Sequence, residues 1–555
     1  MKKGAPIILG IIICIVVIGI SYFWATALMD SVYAYRSPFR DSSPIPGEPS
    51  GSPITRSLVI VLIDSLRYDT SMKPEVMPFL NQLRNEGASA LMHSRPPSYS
   101  EPGYTVLLTG AWPDLSDGPV INLDYADIPT FTQDDIFSAA HRAGLLTAVS
   151  GFNWFEKLIP QDGVTTSFYT PGEDQAADRE VTDASLPWLQ EGKYHLVLIH
   201  LDQVDYAGHH EGGPIDPHWD AAATRADGLL NEIASAMDLS QDTLLVVSDH
   251  GQIDQGGHGG QDPIVLLEPF VMVGKGVIPG DYGDVDMVDV APTIAVILGT
   301  NIPATDQGQP HIEMLDITLA QLDMVNEVLS VQQGQLATAY EIAIGQPVTV
   351  QARGDFVPAT QEAMDEARDS RLYNERLPRG ILAILCVILF INLAAWNARP
   401  HFSWFLVGVV TYLIIFNIKY ILIDHKTYSL SSVLDSTDLI VTSAITTFIA
   451  LVVAWLVILV GTKAYQYGSQ QAASTTMKFI LTTLSVLSIP IFIHYVINGA
   501  TVTWTLPDFL TSFLGLLFLI QTLIIAAIGL MLVVFSALIG FITQKKWNSR
   551  RTDGS

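Results

Sequence analysis

The chain is poor in cysteine, in basic residues and in charge overall. Its two cysteines, Cys14 and Cys386, both lie inside apolar stretches, which excludes a disulfide framework. Lysine and arginine number 29 against 56 aspartates and glutamates, so the formal net charge is −27. A surface this acidic repels nucleic-acid phosphates and excludes nucleic acid as a partner. Charged residues make up 15% of the chain and hydrophobic residues 49%, which is too apolar for a wholly soluble protein.

The apolar residues are concentrated at the two ends of the chain. Lys2 and Lys3 precede an apolar run at 7–28, about the length that a helix needs to cross a membrane. We predict an uncleaved anchor, with a cleaved signal peptide as the alternative because Ala25 and Ala27 are small. Five further spans are predicted at 380–396, 402–423, 439–461, 479–497 and 513–542.

About six spans would place both chain ends on one side of the membrane. Positive charges such as Lys463 and Lys545 fall on that side, whereas Asp424, Asp435 and Asp508 fall opposite. By the positive-inside rule, we expect a multi-pass protein of the cell membrane with both termini cytoplasmic and the intervening domain extracytoplasmic.

That intervening segment alternates short β-branched runs with helical patterns. LVIVLID, YHLVLIHLD and TLLVVSD are continuous apolar runs that each end in a carboxylate. Such runs suit strands that are buried on both faces, and the helical stretches 76–86, 134–143 and 218–237 lie between them. The pattern predicts an α/β domain with a mostly parallel sheet flanked by helices, plus an α-helical transmembrane region.

These patterns divide the chain into six predicted parts. The first two are a membrane anchor and a flexible tether rich in Pro, Ser and Gly. The others are a catalytic domain, a linker, a transmembrane domain of about five helices and a cytoplasmic tail. Their predicted bounds are, in this order, 1–29, 30–57, 58–360, 361–378, 379–543 and 544–555.

Carboxylates and imidazoles gather where the predicted strands end. Ligands bind at the carboxyl ends of parallel strands, so we expect these side chains to meet there. Paired Asp and His ligands suit two divalent ions, with zinc as the first choice and manganese as the alternative. Two such ions can clamp an in-line displacement at phosphorus. The candidate ligands are Asp64, Asp205, His209, Asp249, His250 and His258.

A nucleophile is expected in the segment RPPSYSEPGYTVLLTG. Ser98, Ser100 and Thr105 lie before or within the first turns of an apolar helix, whose N-terminus favours anions. Either serine could instead be a helix N-cap, and spacing alone does not separate the two.

These motifs together resemble the type I phosphodiesterase/nucleotide pyrophosphatase branch of the alkaline phosphatase superfamily. The similarity covers about 58–308 and is greatest to the glycosylphosphatidylinositol ethanolamine-phosphate transferases. The segments that carry it are IDSLRYD, PSYSEPGYTVLLTG, HLDQVDYAGHH, SDHGQIDQGGHGG and VDMVDVAPTIAVILGTNIPATDQG.

The resemblance implies an alkaline-phosphatase-like sheet and assigns the site residues. One metal ion would be held by Asp64, Ser100, Asp249 and His250, with Ser100 as the catalytic nucleophile. The other ion would be held by Asp205, His209 and His258, and Asn122 would contact the substrate phosphate. The chain departs from the family in having Ser rather than Thr at the nucleophile and Gln252 where Met is usual.

The function implied is a metal-dependent phosphotransferase. It would move a phospho-headgroup such as phosphoethanolamine from a phospholipid donor to a lipid or glycan acceptor, through a phospho-serine intermediate. The alternative is a phosphodiesterase or pyrophosphatase with water as acceptor. A transporter or scaffold with an inactive domain is disfavoured, because the ligand set is complete and the spans hold few ionisable residues.

Overall fold

A mixed eight-stranded sheet forms the centre of the domain between the two apolar ends. The computed structural model describes residues 5–351, 356–398 and 401–552. Strands β1 to β8 are, in chain order, Leu58–Ile63, Ala88–His93, Thr147–Phe152, Thr166–Thr170, Leu196–Leu201, Thr243–Val247, Leu267–Gly274 and Gly280–Asp286.

The strand order is β4-β3-β5-β1-β6-β7-β2-β8, and five of the seven strand pairings are parallel. Strand β7 is antiparallel to both its neighbours, β6 and β2. The predicted α/β class with a mostly parallel sheet is confirmed. Strand β1 lies between β5 and β6, so the carboxyl ends of these three strands are side by side.

Both faces of the sheet are buried. Along β1, Ile60 and Leu62 pack into one hydrophobic core, whereas Val59 and Val61 pack into a second core on the opposite face. This alternation explains why the central strands are continuous apolar runs rather than alternating ones.

Helices cover both cores. The predicted helical stretches 76–86, 134–143 and 218–237 correspond to helices within two residues of those bounds. The helices α1 to α11 are Ala5–Tyr33, Tyr68–Ser71, Pro78–Glu86, Ser100–Thr109, Ile136–Arg142, Phe155–Leu158, Gln175–Glu191, Gln203–His210, Pro217–Ser235, Val290–Leu298 and Leu319–Ile344.

The predicted tether, 30–57, begins within the last turn of α1 and then forms neither helix nor strand apart from one isolated bridge. It nevertheless packs against the domain. Phe39 is fully buried beside Tyr340, and the Ser50 N–H donates to the Thr300 carbonyl at 2.8 Å. Burial of an apolar ring and satisfied backbone groups hold this segment in place, which differs from the free tether expected from its composition.

The C-terminal part is helical. Helices α12 to α16 are Phe356–Ala398, Phe402–Asn417, Ser436–Thr462, Ser469–Asn498 and Phe509–Thr552, and a π-helix at Ile418–Ile423 follows α13. The predicted linker, 361–378, is part of α12. The predicted span 380–396 is also part of α12, but several of its side chains lie outside the described residues.

Five described helices are long and apolar enough to cross a membrane. They are Ile7–Tyr33, Phe402–Ile423, Ser436–Thr462, Ser469–Asn498 and Phe509–Lys545. Side chains from all five helices pack into one hydrophobic core, in which Cys14 and Leu28 of α1 are buried. The N-terminal apolar helix is therefore packed among the C-terminal ones.

Candidate two-metal active site

The ends of three adjacent strands position the carboxylates of the site. Asp64 follows β1 directly, Asp249 follows β6 after one residue, and Asp205 lies in the first turn of α8 after β5. Because β5, β1 and β6 are neighbours, side chains separated by nearly 200 residues of sequence meet at one edge of the sheet.

The first ligand set consists of Asp64, Asp249, His250 and Ser100. The His250 Nε2 atom lies 3.3 Å from Asp249 Oδ2, 3.6 Å from Asp64 Oδ1 and 3.1 Å from Ser100 Oγ. All four residues are buried. The candidate ligand atoms of the two aspartates and the histidine lie within 4.8 Å of one another.

The two carboxylates of this set share one feature. One oxygen of each is bonded by the protein: Asp64 Oδ2 accepts from the Tyr104 hydroxyl, and Asp249 Oδ1 accepts from the Ser65 N–H at 3.1 Å. The other oxygens, Asp64 Oδ1 and Asp249 Oδ2, are buried without a hydrogen-bond partner, and both lie close to His250 Nε2. Unpaired buried carboxylate oxygens are costly, and a divalent cation held between them would satisfy both.

The second ligand set consists of Asp205, His209 and His258. The Nε2 atoms of the two histidines are 2.8 Å apart, and Asp205 lies 3.5 Å from His209 Nε2 and 3.6 Å from His258 Nε2. The His258 Nδ1 atom lies 3.1 Å from the Ser98 carbonyl, an arrangement that leaves Nε2 free to bind a cation. These residues fit a borderline divalent ion such as zinc.

The two sets border each other. The rings of His250 and His258 stack with centroids 4.0 Å apart, and Asp205, His250 and His258 offer ligand atoms within 4.8 Å of one another. The seven predicted ligands therefore surround one continuous region at the sheet edge.

The pKa shifts reflect crowding of buried carboxylates. Burial, with repulsion from Asp249 and Asp205, raises the pKa of Asp64 well above its usual range. Burial also raises the pKa of Asp249 to about 6. Burial alone would raise the pKa of Asp205 too, but His209, His258 and His250 outweigh it and hold that pKa below its usual range. Such a cluster is typical of a site that binds cations.

Of the three candidate hydroxyls, only Ser100 lies within hydrogen-bond distance of a ligand side chain. Ser100 is the first residue of α4, next to the N-cap Tyr99. Asn122 is close to it: its Nδ2 lies 3.4 Å from Ser100 Oγ, and its Oδ1 accepts from the Glu101 N–H. Asn122 therefore takes up one of the free donors at the helix N-terminus and orients its amide nitrogen toward the nucleophile.

The other two hydroxyls have structural partners. Thr105 Oγ1 donates to the Pro102 carbonyl at 2.9 Å. Ser98 Oγ donates to the Gly260 carbonyl at 2.9 Å and accepts from the Gly259 N–H at 3.0 Å. Ser98 is 2% exposed and is therefore buried between these two partners.

A buried group behind Asp64 was not predicted from the sequence motifs. His200 Nε2 lies 3.0 Å from Asp64 Oδ2 and 2.9 Å from the Tyr104 hydroxyl, and Asp202 completes a third cluster of potential ligands with Asp64 and His200. A histidine inside an otherwise apolar strand, one residue before its end, is the signal that could have indicated this group.

Gln252 also has a role that composition did not indicate. Its Nε2 donates to Asp205 Oδ1 at 2.8 Å, and its Oε1 accepts from the Gly257 N–H. Gln252 thus orients a ligand carboxylate, as residues behind metal ligands commonly do.

The domain that carries this site is similar in sequence to known proteins. The pattern of the type I phosphodiesterase / nucleotide pyrophosphatase family matches residues 58–115 and 131–307. The catalytic subunit of human GPI ethanolamine phosphate transferase 2 is 28% identical over 276 residues, 46% of this chain and 28% of that protein. GPI ethanolamine phosphate transferase 2 of Aspergillus fumigatus is 25% identical over 400 residues, 65% of this chain and 51% of its own. The chain thus spans only about a quarter to a half of these relatives' lengths.

Two solved structures are similar at lower identity. Human ectonucleotide pyrophosphatase / phosphodiesterase 5 is 13% identical with a TM-score of 0.38, over 47% of this chain and 100% of that one. A wild-type alkaline phosphatase is 10% identical with a TM-score of 0.36, over 48% of this chain and 100% of that one.

Proposed function

Because residues 58–115 and 131–307 match the pattern of the type I phosphodiesterase / nucleotide pyrophosphatase family, we propose that this chain is a membrane-bound phosphotransferase. Its donor is a phospholipid, from which it moves a phosphoethanolamine-like headgroup to a lipid or glycan acceptor. The observation that carries the proposal is the Ser100 hydroxyl beside two sets of Asp and His ligands. Relatives that are GPI ethanolamine phosphate transferases support the choice of headgroup.

Two divalent ions, with zinc as the first choice and manganese as the alternative, fit the ligands. Asp64, Asp249, His250 and Ser100 would hold one ion, and the second set described above would hold the other. When bound, such ions supply Lewis acidity at phosphorus and favour the ionised nucleophile. The unpaired oxygens of Asp64 and Asp249 support this assignment.

The nucleophile and the amide beside it have distinct roles in the proposed reaction. Ser100 Oγ loses its proton and bonds to phosphorus, while the bond from phosphorus to the diacylglycerol oxygen breaks and that alcohol takes up a proton. An acceptor hydroxyl then displaces Ser100, which regains its proton. In both steps Asn122 would donate to a phosphate oxygen, and its Nδ2, 3.4 Å from Ser100 Oγ, supports this role.

The proposed arrangement in the membrane follows the charge pattern of the sequence. The domain faces the extracytoplasmic side, both ends of this chain are cytoplasmic, and the parts have the bounds predicted above. Five apolar helices support a multi-pass protein, and the predicted span 380–396 within α12 would supply the sixth crossing that places both ends on one side. A site tethered to so many spans suits a substrate that is itself a lipid.

The decisive experiment follows the label of a phospholipid donor. Purified protein in detergent would receive phosphatidylethanolamine carrying a radiolabelled headgroup, with and without lipid-linked glycan acceptors. If the protein is a transferase, the label should appear on the acceptor, and only when zinc or manganese is added. Release of labelled free phosphoethanolamine, whichever acceptor is present, would instead identify a phosphodiesterase. If neither lipid nor nucleotide substrates gave a metal-dependent product, both functions would be refuted.

A further inference from the structure

A loop between two of the C-terminal apolar helices contacts the loop that carries His258. We call residues 424–435, between the π-helix and α14, the docking loop, and residues 251–262 the ligand loop. Four hydrogen bonds join the two loops, and in the longest of them Ser429 Oγ donates to Gln261 Oε1 at 3.4 Å. The Gly260 N–H donates to Ser431 Oγ at 3.0 Å, the Gln261 N–H to Ser429 Oγ at 3.2 Å, and Gln261 Nε2 to the Tyr428 carbonyl at 3.0 Å.

Two glycines of the ligand loop allow this close approach. A Cβ atom at Gly260 would lie 1.8 Å from Ser429 Oγ, and one at Gly257 would lie 2.4 Å from the Ser431 carbonyl oxygen. Gly257 also has a φ of +111°, which disfavours any other residue. Both glycines lie within two residues of His258, so the space beside this ligand is occupied by the docking loop.

The ligand loop is held from the opposite side by the nucleophile segment. The Gly260 carbonyl accepts from Ser98 Oγ, while its N–H donates to Ser431 Oγ. The Ser98 carbonyl also lies 3.1 Å from His258 Nδ1. Gly260 is therefore bonded both to Ser98, before the nucleophile, and to the docking loop. We expect a shift of either partner to move His258.

The docking loop has a defined shape of its own. The Lys426 ammonium donates to the Ser432 carbonyl and to Asp438, both at 2.7 Å, and the Tyr428 hydroxyl donates to Asn417 Oδ1 at 2.7 Å. These bonds fix the loop to the ends of the two helices that it joins. Ser429 and Ser431 are 2% and 0% exposed, and their hydroxyls bond to each other as well as to the ligand loop.

From these contacts we propose that Ser429 and Ser431 are positioning residues for the metal site. They hold the ligand loop so that His258 presents Nε2 toward Asp205 and His209. The docking loop of the membrane part would then help to position the second ligand set. This inference rests on the two-metal site proposed above.

The test measures zinc binding by the full-length protein in detergent. Zinc would be titrated into wild type and the Ser429→Ala/Ser431→Ala variant after chelation, with bound metal and turnover recorded together. We expect two ions in both proteins, with one of them bound about 10- to 100-fold more weakly by the variant. Turnover of the variant should recover at high zinc concentration, which loss of folding would not allow.

Two further variants keep the test decisive. Ser485→Ala removes a hydroxyl that bonds only within α15, and it should bind zinc like wild type. Gly260→Ala disrupts the same contact from the ligand loop and should weaken binding of the same ion. It tests the inference even if the double variant does not fold. Unchanged zinc affinity in both the double variant and Gly260→Ala would overturn this inference alone. Failure of the wild type to bind two ions would overturn the proposed site.

Discussion

The two ligand sets differ in how deeply the protein encloses them. The side chains of Asp64, Asp249 and His250 are at most 2% exposed, and they follow strands in the middle of the sheet. In the second set, His209 is 31% exposed and Asp205 16%. The first set is built into the core, whereas the second lies on a short helix and a loop. We expect the first ion to be a fixed part of the fold and the second to exchange with solvent.

The largest effect is expected from breaking the buried set. Asp249→Ala removes one of the two unpaired carboxylate oxygens and should abolish binding of the first ion. Turnover should fall roughly a thousandfold, which corresponds to about 4 kcal/mol of transition-state stabilisation. Metal content and steady-state kinetics check this prediction. Asp183→Ala, which removes an exposed carboxylate paired with Arg179, should leave both unchanged.

Partial chelation should remove the two ions in a fixed order. With increasing chelator, the ion of the second set should leave first and turnover should fall with it, while the ion of the first set stays bound. Metal analysis after gel filtration at each chelator concentration measures this order. In His209→Ala, the early loss of the second ion should be absent, and only the later loss of the first ion should be seen. Loss of both ions in a single step would show that the sets do not differ as we infer.

A smaller effect is expected from the residue that orients Asp205. Gln252→Ala removes the 2.8 Å bond to Asp205 Oδ1 and should weaken the second ion about 10- to 100-fold without affecting the first. Zinc titration with a competing chelator measures this difference. Gln82→Ala, on an exposed helix surface, is the matched control. Weaker binding of the first ion instead would contradict the assignment of Gln252 to the second set.

The smallest effect is expected at Ser98. Its hydroxyl braces the loop of His258 and does not reach the first set, so Ser98→Ala should lower turnover roughly tenfold by loosening the second ion. Added zinc should restore most of the loss. Complete inactivity of Ser98→Ala at saturating zinc would instead show that Ser98 takes part in the reaction itself.

Much of the fold could be predicted from local patterns. The apolar runs that end at Asp64 and just before Asp249 predict buried strands, and strand adjacency then brings their carboxylates together. Helical periodicity similarly indicated α3, α5 and α9 to within two residues. These features follow from short-range sequence periodicity, which a single sequence contains.

The contacts that refine the site could not be predicted in this way. Tyr104 and Gln252 act through hydrogen bonds whose geometry depends on the packed structure rather than on spacing. Ser429 and Ser431 are polar loop residues without periodicity, about 170 residues from the glycines that they contact. The buried Phe39 likewise lies in a segment whose Pro, Ser and Gly content is typical of a free linker.

We propose that Ser100, beside the buried ligand set, forms a covalent bond to the transferred group. The most direct measurement is peptide mass spectrometry of protein quenched in acid during turnover of a phosphatidylethanolamine donor. We predict one phosphoethanolamine group on Ser100, absent from Ser100→Ala, which should retain its metal because three ligands of that ion remain. An adduct on Ser98, or sustained turnover by Ser100→Ala, would show that Ser100 is not the nucleophile.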